Sequence, residues 1–183
     1  QSSDMSIELL CHWLAPFKSE MKTILEVGCG AGHRLNALST ALDAQGVGVE
    51  PSQEAVRYLQ KNIPRLTAKV GFGDDIALDQ EFDLVHLGFF LYLVDRKDYL
   101  RCISEAAQHL KFGGFLSIID FETPFPYSRG YAHQEGAFSH KFNNGNVFVA
   151  SGLYSIVNKF QYSHAGDFFD RNIDERLSLT LLY

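Results

Sequence analysis

Apolar positions along the chain alternate between a helical and an extended period. Ile7, Leu10, Cys11 and Leu14 fall at i, i+3, i+4 and i+7, which predicts a short amphipathic helix that Pro16 stops. Thr23 to Gly28 (TILEVG) is a short, mostly apolar run ending in glycine, the pattern of a strand buried on both faces of a parallel sheet. Leu35, Leu38 and Leu42 with Ala37 and Ala41 mark a helix, and Gly46 to Glu50 (GVGVE) reads as a second strand. Ser52 can cap a helix with Ala55, Val56 and Leu59 on its inner side. A short strand is expected near Ala68 to Val70 and a longer one over Phe82 to Gly88 (FDLVHLG). Asp95 has the residue type of an N-cap, and Tyr99, Ile103, Ala106, Ala107 and Leu110 share one helical face that ends near Gly113 and Gly114. Phe115 to Asp120 completes a fifth strand. This alternation predicts an α/β fold: a doubly wound, Rossmann-like, mostly parallel sheet with helices on both faces and ligands outside the carboxyl ends of its strands.

The pattern breaks after the fifth strand. Residues Phe121 to Gly152 read as irregular, too long for a plain connection, and rich in aromatics, His, Asn and Gly. Beyond them Tyr154, Ile156, Phe160 and Tyr162 alternate with more polar neighbours, as do Leu177, Leu179 and Leu181, which predicts strands at the end of the sheet with an antiparallel one at the C-terminal end. Of the 24 Phe, Tyr and Trp residues only Trp13, Phe17, Tyr58 and Phe72 precede Phe82, so the second half is built for a different task. With no internal repeat and no flexible linker, the expectation is one domain over 1–183, in which 121–152 is a candidate acceptor-binding insertion or lid.

Composition narrows the class. Forty-six per cent hydrophobic and 21% charged residues are ordinary globular values and exclude a disordered or low-complexity chain. A net charge of −6 with no Lys/Arg cluster argues against a nucleic-acid partner. No apolar run approaches the roughly 18 residues that span a bilayer, so no membrane span is expected. Gln1 to Ser6 lacks the basic and apolar regions of a signal peptide, and the expected compartment is the cytoplasm. Cys11, Cys29 and Cys102 match neither a disulfide framework nor a zinc site and read as reduced thiols.

The chemistry starts at Ile24 to Leu35 (ILEVGCGAGHRL), where Gly28, Gly30 and Gly32 lie between a strand and a helix. Glycines there permit a tight turn and close backbone approach to a ligand, and the helix start offers unpaired N–H donors. The dinucleotide fingerprint G-x-G-x-x-G is not met, because His33 stands at its third position; this disfavours a nicotinamide dehydrogenase. E-x-G-x-G-x-G, followed about twenty residues later by an acid at the end of the second strand, resembles the class I S-adenosylmethionine-dependent methyltransferases of the small-molecule type. The resemblance runs on through Gly73 to Leu78 (GDDIAL), Phe82 to Asp95 and Leu110 to Ile118, so it covers about residues 22 to 120 in order.

The resemblance implies S-adenosylmethionine as cofactor, with roles for particular residues. Glu26 and the Gly28, Cys29, Gly30 and Gly32 loop would hold the methionine part, and Glu50, followed by Pro51, would accept hydrogen bonds from both ribose hydroxyls. Asp74 would take the adenine amino group and the backbone of Asp75 would contact the ring, while Gly88 and Phe89 would face the transferable methyl. Asp83 is read instead as a turn stabiliser, outside the site. The implied function is methyl transfer to an N or O atom of a small molecule, a metabolite or sugar; the alternative is a noncatalytic cofactor-binding module that supports a partner protein. Transfer needs an acceptor aligned with the carbon–sulfur bond, and an acceptor that must lose a proton needs a base. Tyr131, His133 and His164 are the candidates for these catalytic tasks, with Tyr131 or His133 expected within reach of the acceptor. A metal site from Glu122, His133 and His140 matches no ligand spacing, so none is expected. No Asn-Pro-Pro-Tyr type sequence follows the fourth strand, which lowers the odds of an adenine or glutamine acceptor.

Overall fold

In the computed structural model, which describes residues 4–131, 136–166 and 168–183, β1 (Thr23–Val27), β2 (Gln45–Glu50), β3 (Thr67–Val70), β4 (Phe82–Gly88) and β5 (Leu110–Phe121) are parallel strands. They alternate with the helices α2 (His33–Leu42), α3 (Gln53–Asn62) and α4 (Tyr99–Gln108), and α1 (Met5–Leu14) precedes them. Two further strands, β8 (Ile156–Ser163) and β9 (Arg176–Leu182), complete a seven-stranded sheet in the order β3-β2-β1-β4-β5-β9-β8. Both β9 on β5 and β8 on β9 run antiparallel, so the sheet ends in two antiparallel strands.

Strand alternation divides the core in two. Ile24, Leu84, Ile119 and Leu179 pack under α1, α2 and α3 with Leu10, Leu14, Leu38 and Leu59. Leu25, Val27, Val85 and Leu87 face the opposite way and pack with Tyr99, Cys102, Ala106 and Phe148. Apolar residues on both faces are why these strands read as continuous hydrophobic runs. The strands' carboxyl ends and the glycine loop thus lie along one edge of the sheet.

Asp83 is the turn stabiliser expected of it. Its Oδ2 accepts from the N–H groups of Lys22 and Thr23, both at 2.9 Å, and from Thr23 Oγ1 at 3.0 Å, while Oδ1 pairs with Lys111 at 2.8 Å. These bonds tie the entrance of β1 to β4 and β5. Asp83→Ala strands two backbone donors and is expected to cost about 2–3 kcal/mol, read as a lower urea midpoint at unchanged m.

Three expectations are corrected. Asp98, not Asp95, stands at the N-cap position of α4, without a side-chain capping bond; Asp95 makes the preceding turn, accepting from Lys97 N–H and, through its carbonyl, from Asp98 N–H. Leu110 belongs to β5 rather than to the helix, since β5 starts immediately after His109 and bends through a register shift opposite Phe82 and Leu84. The described residues of 121–152 are not irregular throughout: β6 (Tyr127–Gly130) and β7 (Phe138–Lys141) pair antiparallel as a hairpin, and α5 (Asn144–Ala150) follows, capped by Asn143. The hairpin strands, YSRG and FSHK, are too short and polar to show an alternating signal, while Phe142 and Phe148 anchor the segment in the second core. Among the described residues no helix is long and apolar enough to cross a membrane.

Candidate active site

The loop after β1 sits on the carboxyl end of β2. Gly28 and Cys29 donate to the Val49 carbonyl, and Gly32 caps α2 with φ +80°, a left-handed conformation that favours glycine. A side chain at Gly32 would also collide with Leu59 of α3, a Cβ standing 2.4 Å from its Cδ1. Cys29 turns its thiol inward over Gly48, and burial raises it to about 12, so its contribution to the site is its backbone.

Glu50 ends β2 with both oxygens held. Oε2 accepts from Gly30 N–H and Oε1 from Ser52 N–H, each at 2.9 Å, so the carboxylate is fixed against the glycine loop. It borders a cavity of about 360 Å³ together with Pro51, Phe72, Asp74, Phe89 and Val94. Phe90 is wedged between Gly28 and Gly73, where a Cβ on Gly73 would meet its ring at 2.1 Å. Asp75 does not line this cavity; it is exposed, and its N–H closes a turn on the Phe72 carbonyl.

Deeper in the edge lies Glu26, 1% exposed. Burial pushes its carboxyl up to about 8, with Arg34 and the Leu35 N–H at the start of α2 acting in the opposite sense. Its Oε2 has no hydrogen-bond partner. Arg34 reaches from α2 to Asp4, the N-cap of α1, at 3.0 Å, and its guanidinium lies 4.9 Å from the centre of the Phe89 ring. Asp4, Arg34, Gly30, His33, Gly88 and Phe89 line a second cavity, of about 590 Å³, which shares Gly28 and Phe89 with the lining of the first.

Phe89 links this edge to the aromatic half of the chain. Held at φ +52° with its N–H on the Ile119 carbonyl, it stacks on His164 at 5.8 Å and packs edge-on against Phe121. Beyond it is a cavity of about 480 Å³ lined by Tyr92, Phe121, Tyr131, Lys141, His164 and Asp174, among others. The Tyr92 and Tyr131 rings meet edge-on, with their centroids 6.1 Å apart. Lys141 is 1% exposed, with its Nζ 3.7 Å above the Phe121 ring and 3.2 Å from Asp174 Oδ1. Asp174 also takes Arg129 and the Tyr127 hydroxyl, so it holds the hairpin to the loop before β9.

The structure therefore brings Glu26, the glycine loop, Glu50, Pro51, Asp74, Gly88 and Phe89 to one edge and sets Tyr131 and His164 beside it. His133 lies outside the described residues. Among the described residues no cluster of three or more His, Cys, Asp or Glu side chains could hold a metal. Arg34, Phe90, Tyr92 and Lys141 went unread in the sequence, because each looks there like an ordinary surface or core residue.

Comparison with known proteins agrees with this geometry. Residues 24–114 match a family model described as a methyltransferase domain. The glycopeptide N-methyltransferase MtfA, solved with S-adenosylmethionine, has a TM-score of 0.67 at 14% identity, over 98% of this chain and 94% of that one. N-methyltransferase NodS from Bradyrhizobium japonicum, solved with S-adenosylhomocysteine, scores 0.70 at 15% identity over 99% and 88%. DesVI of Streptomyces venezuelae scores 0.67 at 16% identity over 96% and 90%. No curated protein sequence matches the chain. The fold and this edge define a class I methyltransferase domain. The chain is a methyltransferase by its domain, and S-adenosylmethionine is the cofactor of the solved methyltransferases that share its fold.

The residues fit that cofactor. A buried carboxylate oxygen without a partner suits an ammonium group, a backbone-held carboxylate suits a ribose diol, and Gly88 leaves open a space that a Cβ would fill. The bound cofactor supplies a methyl group made electrophilic by its sulfonium.

Proposed function

We propose that the protein transfers the methyl group to an N or O atom of a small molecule, a metabolite or sugar, held between Phe89 and the β6–β7 hairpin. One observation carries this reading: Phe89 lines both cofactor-side cavities, while His164, stacked on it, lines the aromatic cavity next to them. A methyl group delivered at Phe89 then meets an acceptor walled by Tyr92, Phe121 and Tyr131, whose faces exclude water and favour a cationic product. MtfA and NodS, which share the fold, are both N-methyltransferases, and this supports nitrogen as the acceptor atom.

In this reading Glu26 and the loop of Gly28, Cys29, Gly30 and Gly32 hold the methionine part. Glu50 and Pro51 hold the ribose, Asp74 the adenine amino group, and Gly88 and Phe89 bound the methyl. His164 and Tyr131 orient the acceptor or take its proton, and the β6 and β7 strands form its outer wall. The Asp75 backbone, which closes a tight turn, contributes only by shaping the loop that carries Asp74.

The test is a mass-spectrometric methyl-transfer assay over a panel of amines, amino sugars and hydroxylated metabolites. His164→Ala and Tyr131→Phe are expected to lower turnover about 10²-fold, the share that proton transfer and positioning supply, while leaving S-adenosylhomocysteine affinity intact. Unchanged turnover in both would place the acceptor elsewhere.

A further inference from the structure

Beneath the glycine loop, two buried side chains face each other across adjacent strands. Glu26 of β1 pairs in register with His86 of β4, which pairs in turn with Ser117 of β5, so the three form a polar row in an otherwise apolar layer. All three are at most 1% exposed. His86 Nδ1 lies 2.7 Å from Ser117 Oγ, whereas His86 Nε2, like Glu26 Oε2, has no partner. A Cβ on Gly88 would stand 2.7 Å from His86 Nε2 and 3.3 Å from Glu26 Oε1. Both side chains thus border one small space, kept open by glycine, and Gly88 itself lines the cavity of Gly30 and Arg34.

We propose that His86 is a second ligand for the cofactor's α-ammonium group: Nδ1–H donates to Ser117 Oγ, and the Nε2 lone pair accepts an ammonium hydrogen beside the Glu26 carboxylate. The proposal rests on the methyltransferase reading and adds to it a residue that the glycine-loop pattern does not contain. An ammonium group has three donors and no acceptor, so taking it out of water under a loop calls for several acceptors converging from different strands. A neutral imidazole adds an acceptor without adding charge. Burial, with Arg34 nearby, drives the His86 pKa down to about 3, so its lone pair is available throughout the physiological range. A leucine would fill the same strand position at no desolvation cost, as Leu84 does two residues earlier on the same face.

Calorimetry with two ligands tests this: S-adenosylhomocysteine, and 5′-methylthioadenosine, which keeps the nucleoside and thioether but lacks the amino-acid part. His86→Leu is expected to weaken S-adenosylhomocysteine about 10- to 100-fold, the range for a hydrogen bond to a charged group, and to leave methylthioadenosine unchanged. Equal losses for the two ligands, or no loss for S-adenosylhomocysteine, overturn the proposal. Nitrogen-15 NMR of the unmutated protein is an independent check, and it holds even where the leucine variant does not fold. The expected signature is a neutral Nδ1–H tautomer whose Nε2 resonance shifts with S-adenosylhomocysteine and not with methylthioadenosine; an Nε2–H tautomer in the complex overturns it. An unmutated protein that binds neither ligand refutes the methyltransferase reading itself, whereas normal binding that His86→Leu does not change refutes only the role of His86.

Discussion

Glu50→Ala is expected to weaken S-adenosylhomocysteine binding about 10²- to 10⁴-fold, because the proposed role of Glu50 gives it two charge-assisted hydrogen bonds to the ribose, each worth about 1.5–3 kcal/mol. The structure adds a second contribution to the same loss. Glu50 accepts from Gly30 and Ser52, so its carboxylate also sets the glycine loop in place before any ligand arrives. Glu50→Gln keeps one acceptor oxygen and the side-chain length, and is expected to fall between the two proteins. Isothermal titration of the three, with thermal melts to show that each is folded, measures the effect. An alanine variant that binds within threefold of the parent would remove Glu50 from the site.

The second large effect is a dependence of ligand-free stability on pH that centres on Glu26. Its pKa is raised by burial from 4.5 to about 8, so the native state binds a proton that the unfolded chain has released. The contribution is fully present below about 4.5 and is lost as pH rises through 8, at roughly 1.4 kcal/mol per pH unit. Asp4 and Glu50 act in the same direction and Arg34 against it. Asp120, buried and raised to about 7, adds to the slope below that value. His86, depressed from 6.5 to about 3, opposes both below 6.5, since it costs stability as pH falls. Glu26 is therefore the group expected to set the slope from 7 to 8, where the urea midpoint of the ligand-free protein should drop. Glu26→Gln is expected to flatten that interval and to be the more stable protein at pH 8. The same variant should lose cofactor affinity, and binding by the parent near pH 7 should release close to one proton, seen as a calorimetric enthalpy that varies with the buffer. A flat parental profile from pH 7 to 8 would show that Glu26 titrates normally.

The proposed cofactor side of the site could be read from the chain because its parts are local. A glycine loop between a strand and a helix, and an acid ending the next strand, are set by short-range pattern, and the fold places them at the same edge whenever the strands are parallel. The acceptor side was not legible in this way. Its hairpin strands carry no apolar alternation, Asn143 caps a helix that composition alone disguised as loop, and Lys141 shows its burial only when it meets Phe121 and Asp174. His86 is the sharpest case: in FDLVHLG it is one polar residue in an apolar strand, and its significance depends on Glu26 and Ser117 arriving on either side of it.

Periodicity by itself determined the strand and helix sequence up to Phe121, the two terminal strands and the mostly parallel architecture of the main sheet, because burial on one or two faces leaves its mark every two or 3.6 residues. Tertiary structure decided what those elements bring together: the latch of Asp4 and Arg34 over Phe89, the stacking of His164 on that ring, and the row of Glu26, His86 and Ser117. The physical reason is range. Pattern records whether a residue faces solvent or core, whereas a pKa displaced by burial, a partnerless polar atom or an aromatic wall arises only from groups that the chain separates by tens of residues and the fold sets a few ångströms apart.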